Sequence, residues 1–223
     1  MNRWILGTLC VAAVTWNAAP TLAQNGDSEK KLPDCPVMGE PINLAVSTPT
    51  DDGPVFFCCK GCISKYNAKP GKFTKQVAEQ RKAMEKLAKV QVTCPVTGEP
   101  VDPDVSIEAD GNKVSFCCKG CVKKYQADPK KYAAKLVNSY TYQTTCPVMG
   151  EEIDPKSFTT LASGERVYLC CKGCDKKLKA NPEKYLSKLT AQGYSYKAKD
   201  FAAKTEDGHE GHDHGDGHEG HGH

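Results

Sequence analysis

The sequence predicts three small α+β modules in tandem rather than one domain around a large apolar core, and three observations carry that expectation. The 223 residues include 13 cysteines and 14 prolines but are only 39% hydrophobic, a composition suited to small stapled units. One opening phrase occurs three times, as Cys35-Pro-Val-Met-Gly-Glu, Cys94-Pro-Val-Thr-Gly-Glu and Cys146-Pro-Val-Met-Gly-Glu. Each opening is answered by a cysteine triplet, 23 positions on in the first two copies (Cys35 to Cys58, Cys94 to Cys117) and 24 in the third (Cys146 to Cys170). Such regular spacing implies a fixed local fold.

The chain begins MNRWILGTLCVAAVTWNAAPTLAQ: one positive charge at Arg3, an apolar run from Trp4 to Trp16, and the small-residue cleavage site Thr21-Leu22-Ala23. This reads as a secretory signal peptide over residues 1–23, followed by a disordered linker over 24–32. The apolar run is shorter than the ~20 residues a spanning helix requires, so no permanent membrane span is expected. Cleavage removes Cys10 and leaves 12 cysteines, four per copy. The mature protein is therefore expected outside the cytoplasm, periplasmic or secreted, where a disulfide is the default state of cysteine.

Within each copy a turn signal, Asp52-Gly53, Asp110-Gly111 or Ser163-Gly164, leads into alternating apolar residues such as Val114 and Phe116 or Val167 and Leu169, which predicts a β-hairpin. After the triplet the pattern turns helical. Asp128-Pro129 and Asn181-Pro182 then supply an N-cap and a first-turn proline for a second short helix carrying Tyr132 and Leu136, or Tyr185 and Leu189. The first copy departs here: Lys69-Pro70-Gly71 replaces the capping pair, and Phe73, Val77, Met84 and Leu87 mark one side of a linker helix over residues 72–91. The modules are thus expected at 33–71, 92–138 and 139–190, with a disordered tail over 191–223.

Net charge is +3, and the basic residues are 27 lysines against three arginines. The bidentate arginine of a phosphate reader is nearly absent, so the lysines read as solvated helix faces and no nucleic-acid partner is expected.

Three cysteines in five positions can be metal ligands, disulfide halves or a redox centre. On a helix, Cys58 and Cys59 stand four and three residues before Cys62, so all three thiols can project to one side of the first turn, where the hairpin brings Cys35. The same holds for Cys117, Cys118 and Cys121 with Cys94, and for Cys170, Cys171 and Cys174 with Cys146. A helix N-terminus favours thiolates. A disulfide between neighbours is strained and only one bridge per copy is easy, which would leave six reactive thiols in an oxidising space. Four thiolates suit tetrahedral Zn²⁺, or Cu⁺, which accepts two or three. A structural metal supplies on the order of 10 kcal/mol to a unit too small to hold itself together. The rival is a thiol-disulfide oxidoreductase using Cys59-Lys-Gly-Cys62, Cys118-Lys-Gly-Cys121 and Cys171-Lys-Gly-Cys174; each copy, however, is half the length a thioredoxin-like fold needs. Covalent haem is excluded, because Ile63, Val122 and Asp175 stand where its histidine must be.

The run of CPVMGE, then VYLCCKGC or VSFCCKGC, then ADPKKY or ANPEKY resembles the TRASH-type and YHS-type heavy-metal-binding domains over roughly residues 33 to 190. The resemblance implies small treble-clef-like units, a role in metal trafficking, resistance or sensing, and ligands at Cys35, Cys58 and Cys62, at Cys94, Cys117 and Cys121, and at Cys146, Cys170 and Cys174. Cys59, Cys118 and Cys171 would complete four sulfurs. Where a zinc knuckle carries a second cysteine, the copies carry Met38, Thr97 and Met149; a methionine there can bind Cu⁺, but the threonine favours a residue that fills space.

All six histidines, His209, His212, His214, His218, His221 and His223, lie in HEGHDHGDGHEGHGH, a composition that suits loose binding of Zn²⁺, Ni²⁺ or Cu²⁺ and leaves no catalytic histidine for the modules. The combined expectation is a non-enzymatic, exported zinc or copper protein of sequestration, trafficking or resistance, with a metal transporter or another exported metal protein as partner. The alternatives are a zinc-stapled protein-interaction module and the oxidoreductase.

Overall fold

A computed structural model of the chain describes residues 31–201. The signal peptide, nearly all of the 24–32 linker, and the six histidines of the tail lie outside the described residues.

The first unit starts with a tight knuckle in which the N–H of Cys35 donates to the Glu40 carbonyl (2.7 Å) and that of Gly39 donates to the Cys35 carbonyl (2.9 Å). Closing this loop puts Gly39 at φ +75°, and its counterparts Gly98 and Gly150 at +80° and +83°, a region that disfavours a side chain and explains the glycine in every opening phrase. A hairpin of β1 (Asn43–Thr48) and β2 (Val55–Phe57) follows, then α1 (Lys60–Ala68), a 3-10 turn (Pro70–Phe73) and α2 (Thr74–Met84). After the short β3 (Val90–Gln91) the second unit repeats the plan with β4 (Asp102–Ala109), β5 (Asn112–Phe116), α3 (Lys119–Ala127) and α4 (Ala133–Val137). The third unit, entered through β6 (Tyr140–Thr141), has β7 (Asp154–Thr160), β8 (Arg166–Leu169), α5 (Gly173–Ala180) and α6 (Glu183–Ala191). The strands form four two-stranded antiparallel sheets: one hairpin per unit, and β3 with β6 joining the units. None of the described helices is long and apolar enough to cross a membrane.

Each hairpin slips register after its first pair, and the residue there turns its carboxyl or amide back on the chain: Asn43, Asp102 and Asp154 each accept from the N–H two residues on. The Asp128 cap is formed, its carboxylate accepting from Lys131 N at 3.2 Å. The small α+β organisation follows the expectation, but two details differ. The stretch expected as a linker helix over 72–91 ends its helix at Met84, and Val77, Gln80 and Met84 are buried against the first unit. The apolar stripe therefore serves as that unit's second helix, because β2 is left with an open face and edge that α2 covers.

The second difference is at the far end. Residues 192–201, grouped with the tail by their position in the sequence, pack on the first unit. Leu44 N donates to Gly193 O (2.9 Å), Asn43 exchanges two hydrogen bonds with the backbone of Ser195 (3.0 and 3.1 Å), and Tyr194 and Phe201 are buried. Four aromatic or aliphatic groups in this strap, absent from the histidine-rich segment beyond it, give it surface to bury. The first and third units share one core, with Phe56 edge-on to Tyr142 at 5.5 Å, whereas the second keeps its own apart from Val92, which packs with Ile153 and Tyr168 of the third.

Gly193 is the tightest point of the strap: at φ +93°, an added Cβ would lie 2.9 Å from both Leu32 Cδ1 and Leu44 Cδ1. Gly193→Ala is expected to destabilise the metal-loaded protein by about 2–4 kcal/mol, from backbone strain and overpacking together. Denaturant titration against Gly71→Ala, where a Cβ meets nothing within 4 Å, checks this; equal midpoints would show that the strap carries no stability.

Candidate metal centres

Each unit brings its opening cysteine, carried on the knuckle, to the junction between the hairpin and the first helix. The sulfurs of Cys35, Cys58 and Cys62 lie within 4.8 Å of one another, as do those of Cys94, Cys117 and Cys121, and of Cys146, Cys170 and Cys174. The i, i+4 pair of each triplet is 3.7, 3.5 and 3.7 Å apart. Two sulfurs on one Zn²⁺ at the usual ~2.3 Å bond are roughly 3.8 Å apart, so these sulfurs are already spaced for one small ion. All 12 described cysteines are free thiols.

The doublet cysteine lies apart from these triads. Its expected place in the first helical turn is not where the chain puts it: Cys59 is the residue before α1, in extended conformation (φ −154°, ψ 161°), and Cys118 repeats this at −162° and 163°. The chain bends at each doublet, and its two thiols differ in burial: Cys58, Cys117 and Cys170 are partly buried, whereas Cys59, Cys118 and Cys171 are exposed. Even so, each exposed sulfur stays close to the buried third one, at 3.6 Å (Cys59 to Cys62), 3.7 Å (Cys118 to Cys121) and 3.6 Å (Cys171 to Cys174).

The electrostatics of the four sulfurs are uneven. Burial pushes the Cys94 thiol up, but the N–H groups of Cys117, Thr97 and Val96 and the Thr97 hydroxyl outweigh it and hold the pKa at about 7. Cys35 and Cys146 are lowered in the same way against burial, by N–H groups of Cys58, Met38 and Val37, and of Met149, Cys170 and Val148. At the doublet the N–H of Cys62 pulls the Cys59 thiol below its ordinary value, with the Cys62 thiol second. Cys62, Cys121 and Cys174 go the other way, driven well above the thiol range by burial and then by the surrounding sulfurs. Each site thus has two thiols lowered and two raised, because burial also pushes up Cys58, Cys117 and Cys170. A cation inverts that balance by neutralising the cluster.

One set of supporting residues escaped the sequence reading. In the third unit Gln143, buried to 1% exposure, accepts from Tyr168 N (2.9 Å) and donates to Tyr168 O (2.6 Å) and Thr145 O (3.1 Å). Its amide pairs with the free edge of β8 as a third strand would, and ties that strand, two residues before Cys170, to the residue before Cys146. Gln91 does the same between Ser115 and Thr93 in the second unit. Both stand three residues before the opening cysteine, in Gln91-Val-Thr-Cys94 and Gln143-Thr-Thr-Cys146, a shared spacing that was open to view. In the first unit that position is Leu32, and the clamp comes from α2 instead: Gln80 accepts from Phe56 N (3.0 Å) and donates to Phe56 O (2.9 Å) and Asp34 O (3.2 Å).

No family model, no characterised protein and no solved structure matches the chain. The class of protein is therefore defined by its own fold and sites: a small α+β chain with three repeated cysteine triads able to hold a metal ion.

Proposed function

We propose that this is an exported, non-enzymatic heavy-metal-binding protein whose three cysteine modules hold zinc or copper, acting in metal sequestration, trafficking or resistance. The observation that carries the reading is the convergence of three sulfurs in each unit at the spacing of ligands on one ion. The resemblance to TRASH-type and YHS-type domains, and to their treble-clef-like fold, points the same way. In this reading the opening cysteine supplies the first thiolate, the two inward cysteines of the triplet join as the ion neutralises the cluster, and Cys59, Cys118 or Cys171 closes the shell from the solvent side. The histidine-rich tail captures ions loosely and a metal transporter or another exported metal protein receives or supplies them.

A second reading, a thiol-disulfide oxidoreductase, is favoured by one observation: an exposed sulfur of lowered pKa stands 3.6 Å from its CxxC partner in the first unit. One preparation separates the two. Untagged protein purified anaerobically is expected to carry one ion per module, and the ion to protect the triad and doublet cysteines from alkylation. Fewer than one ion per module, with all 12 cysteines in disulfides, sinks the metal reading. Catalysed reduction of a small disulfide substrate that persists after metal removal establishes the oxidoreductase instead.

A further inference from the structure

Three residues after the opening cysteine of two of the three triads stands a methionine that the ligand sets above do not use. Among the described residues the large exposed hydrophobic side chains are Met38 at 55%, Val137 at 41% and Met149 at 54%. Met38 and Met149 occupy the same position of the repeat. The reading of that position as a space-filler fails, because a residue that fills space is covered: the other described methionine, Met84, is 5% exposed in the core. An isolated exposed apolar residue needs no explanation, but the same exposure at the same knuckle position twice does.

The backbone sets where this side chain begins. Met38 and Met149 lie inside the knuckles that Gly39 N closes on Cys35 O (2.9 Å) and Gly150 N closes on Cys146 O (2.8 Å), and their N–H groups help hold the Cys35 and Cys146 thiols low. The second unit shows that a side chain from this position reaches the sulfurs, because the Thr97 hydroxyl, on a shorter arm, lies 3.3 Å from Cys117 Sγ. A methionine has three rotatable bonds and a polarisable thioether one atom farther out than the threonine hydroxyl. From the same starting point it spans the same gap with reach to spare. Met38 also borders a surface groove with Val37, Lys65 and Phe73.

We propose that Met38 and Met149 are thioether ligands that swing onto an ion held by the thiolates of the first and third units, making those two sites selective for a soft monovalent cation, Cu⁺, while the second unit, with Thr97, is not. This deepens, and rests on, the reading of the triads as metal sites. The chemistry is that of ligand softness: a neutral thioether adds almost nothing for Zn²⁺, which is satisfied by thiolates, and adds a good ligand for Cu⁺ without adding charge that a monovalent ion cannot balance. The hydroxyl of Thr97 is a hard group and spends itself on a hydrogen bond to Cys117. One chain thereby carries two kinds of site on one scaffold.

The test uses the full chain, labelled with selenomethionine and loaded anaerobically with Cu⁺ at one ion per module. X-ray absorption at the selenium edge is expected to show a copper neighbour. In parallel, Met38→Thr combined with Met149→Thr, which copies the residue the second unit already tolerates, is expected to weaken Cu⁺ affinity by about tenfold in competition with a chromogenic chelator, the lower end of what loss of a site-supporting group costs. Zn²⁺ affinity should stay unchanged. Selenium without a copper neighbour, or equal changes for both ions, overturns the methionine assignment while leaving the thiolate sites standing. Wild-type protein whose cysteines bind neither ion overturns the thiolate reading beneath it as well.

Discussion

Stripping the ions from the loaded protein with a chelator is expected to unfold the second unit alone, before the first and third open together. The reason is the unequal division of apolar surface. The second unit buries Val101, Val114, Phe116, Tyr125 and Tyr132 with Cys94 and Cys121, and shares none of these with a neighbour. With a structural ion contributing on the order of 10 kcal/mol to a unit of this size, and so small a core beside it, little remains once the ion is gone. Its moorings are lighter: Val92 packs with Ile153 and Tyr168 in a small cluster, β3 pairs with the equally short β6, Asn138 donates to Thr50 O at 2.7 Å, and the Lys156–Asp102 pair at 2.8 Å is exposed and adds little. The first and third units instead close over a common core running from Phe57 and Val55 to Leu178 and Leu189, and the strap with Tyr194 and Phe201 crosses between them. Hydrogen exchange read peptide by peptide during chelation measures this. A single step in which all three units lose protection together contradicts the division, and unchanged protection throughout shows that no ion was holding the fold.

Gln80→Leu is expected to cost about 3–5 kcal/mol, far more than an ordinary glutamine on a helix. The substitution keeps the volume but leaves the Phe56 N–H, the Phe56 carbonyl and the Asp34 carbonyl without this partner, each worth ~1–3 kcal/mol when buried and unsatisfied, less what a buried leucine gives back. The same change separates the strand that ends in Cys58 from the loop that carries Cys35, so the first site should lose metal affinity by roughly 10–100-fold while the second is untouched. Gln76→Leu, on the same helix but exposed, is the control and should move neither quantity. Ion counts per module together with denaturant midpoints measure both effects. Equal behaviour of the two variants would show that the clamp is ornamental.

The clamp also shows what sort of information the sequence holds. Gln91 and Gln143 repeat at one spacing, so their role was there to be read; Gln80 does the same work from 45 residues after Cys35, and no local pattern announces it. The apolar stripe over residues 72–91 announces a helix, yet whether that stripe faces a partner, a neighbour or its own unit depends on which edge of which strand stands bare. The strap adjoins HEGHDHG in sequence, and only the surface it meets in the fold gives Tyr194, Tyr196 and Phe201 something to pack against.

By itself the sequence determined the local terms: three copies of one unit, the turns closed by Gly39, Gly98 and Gly150, the hairpins, the short helices, and the set of cysteines from which a site can be built. Each of these follows from backbone preferences and contacts within a few residues or one repeat, which is the range over which residue type alone carries energy. The tertiary structure decided the rest: that Cys58 is partly buried and Cys59 exposed, that Gln80 stands in for a missing glutamine, that the first and third units merge while the second keeps its own core, and that Met38 and Met149 are left in solvent. Those outcomes depend on which surfaces meet across the whole chain, and the burial energy that selects among them belongs to the assembled fold and not to any segment of it.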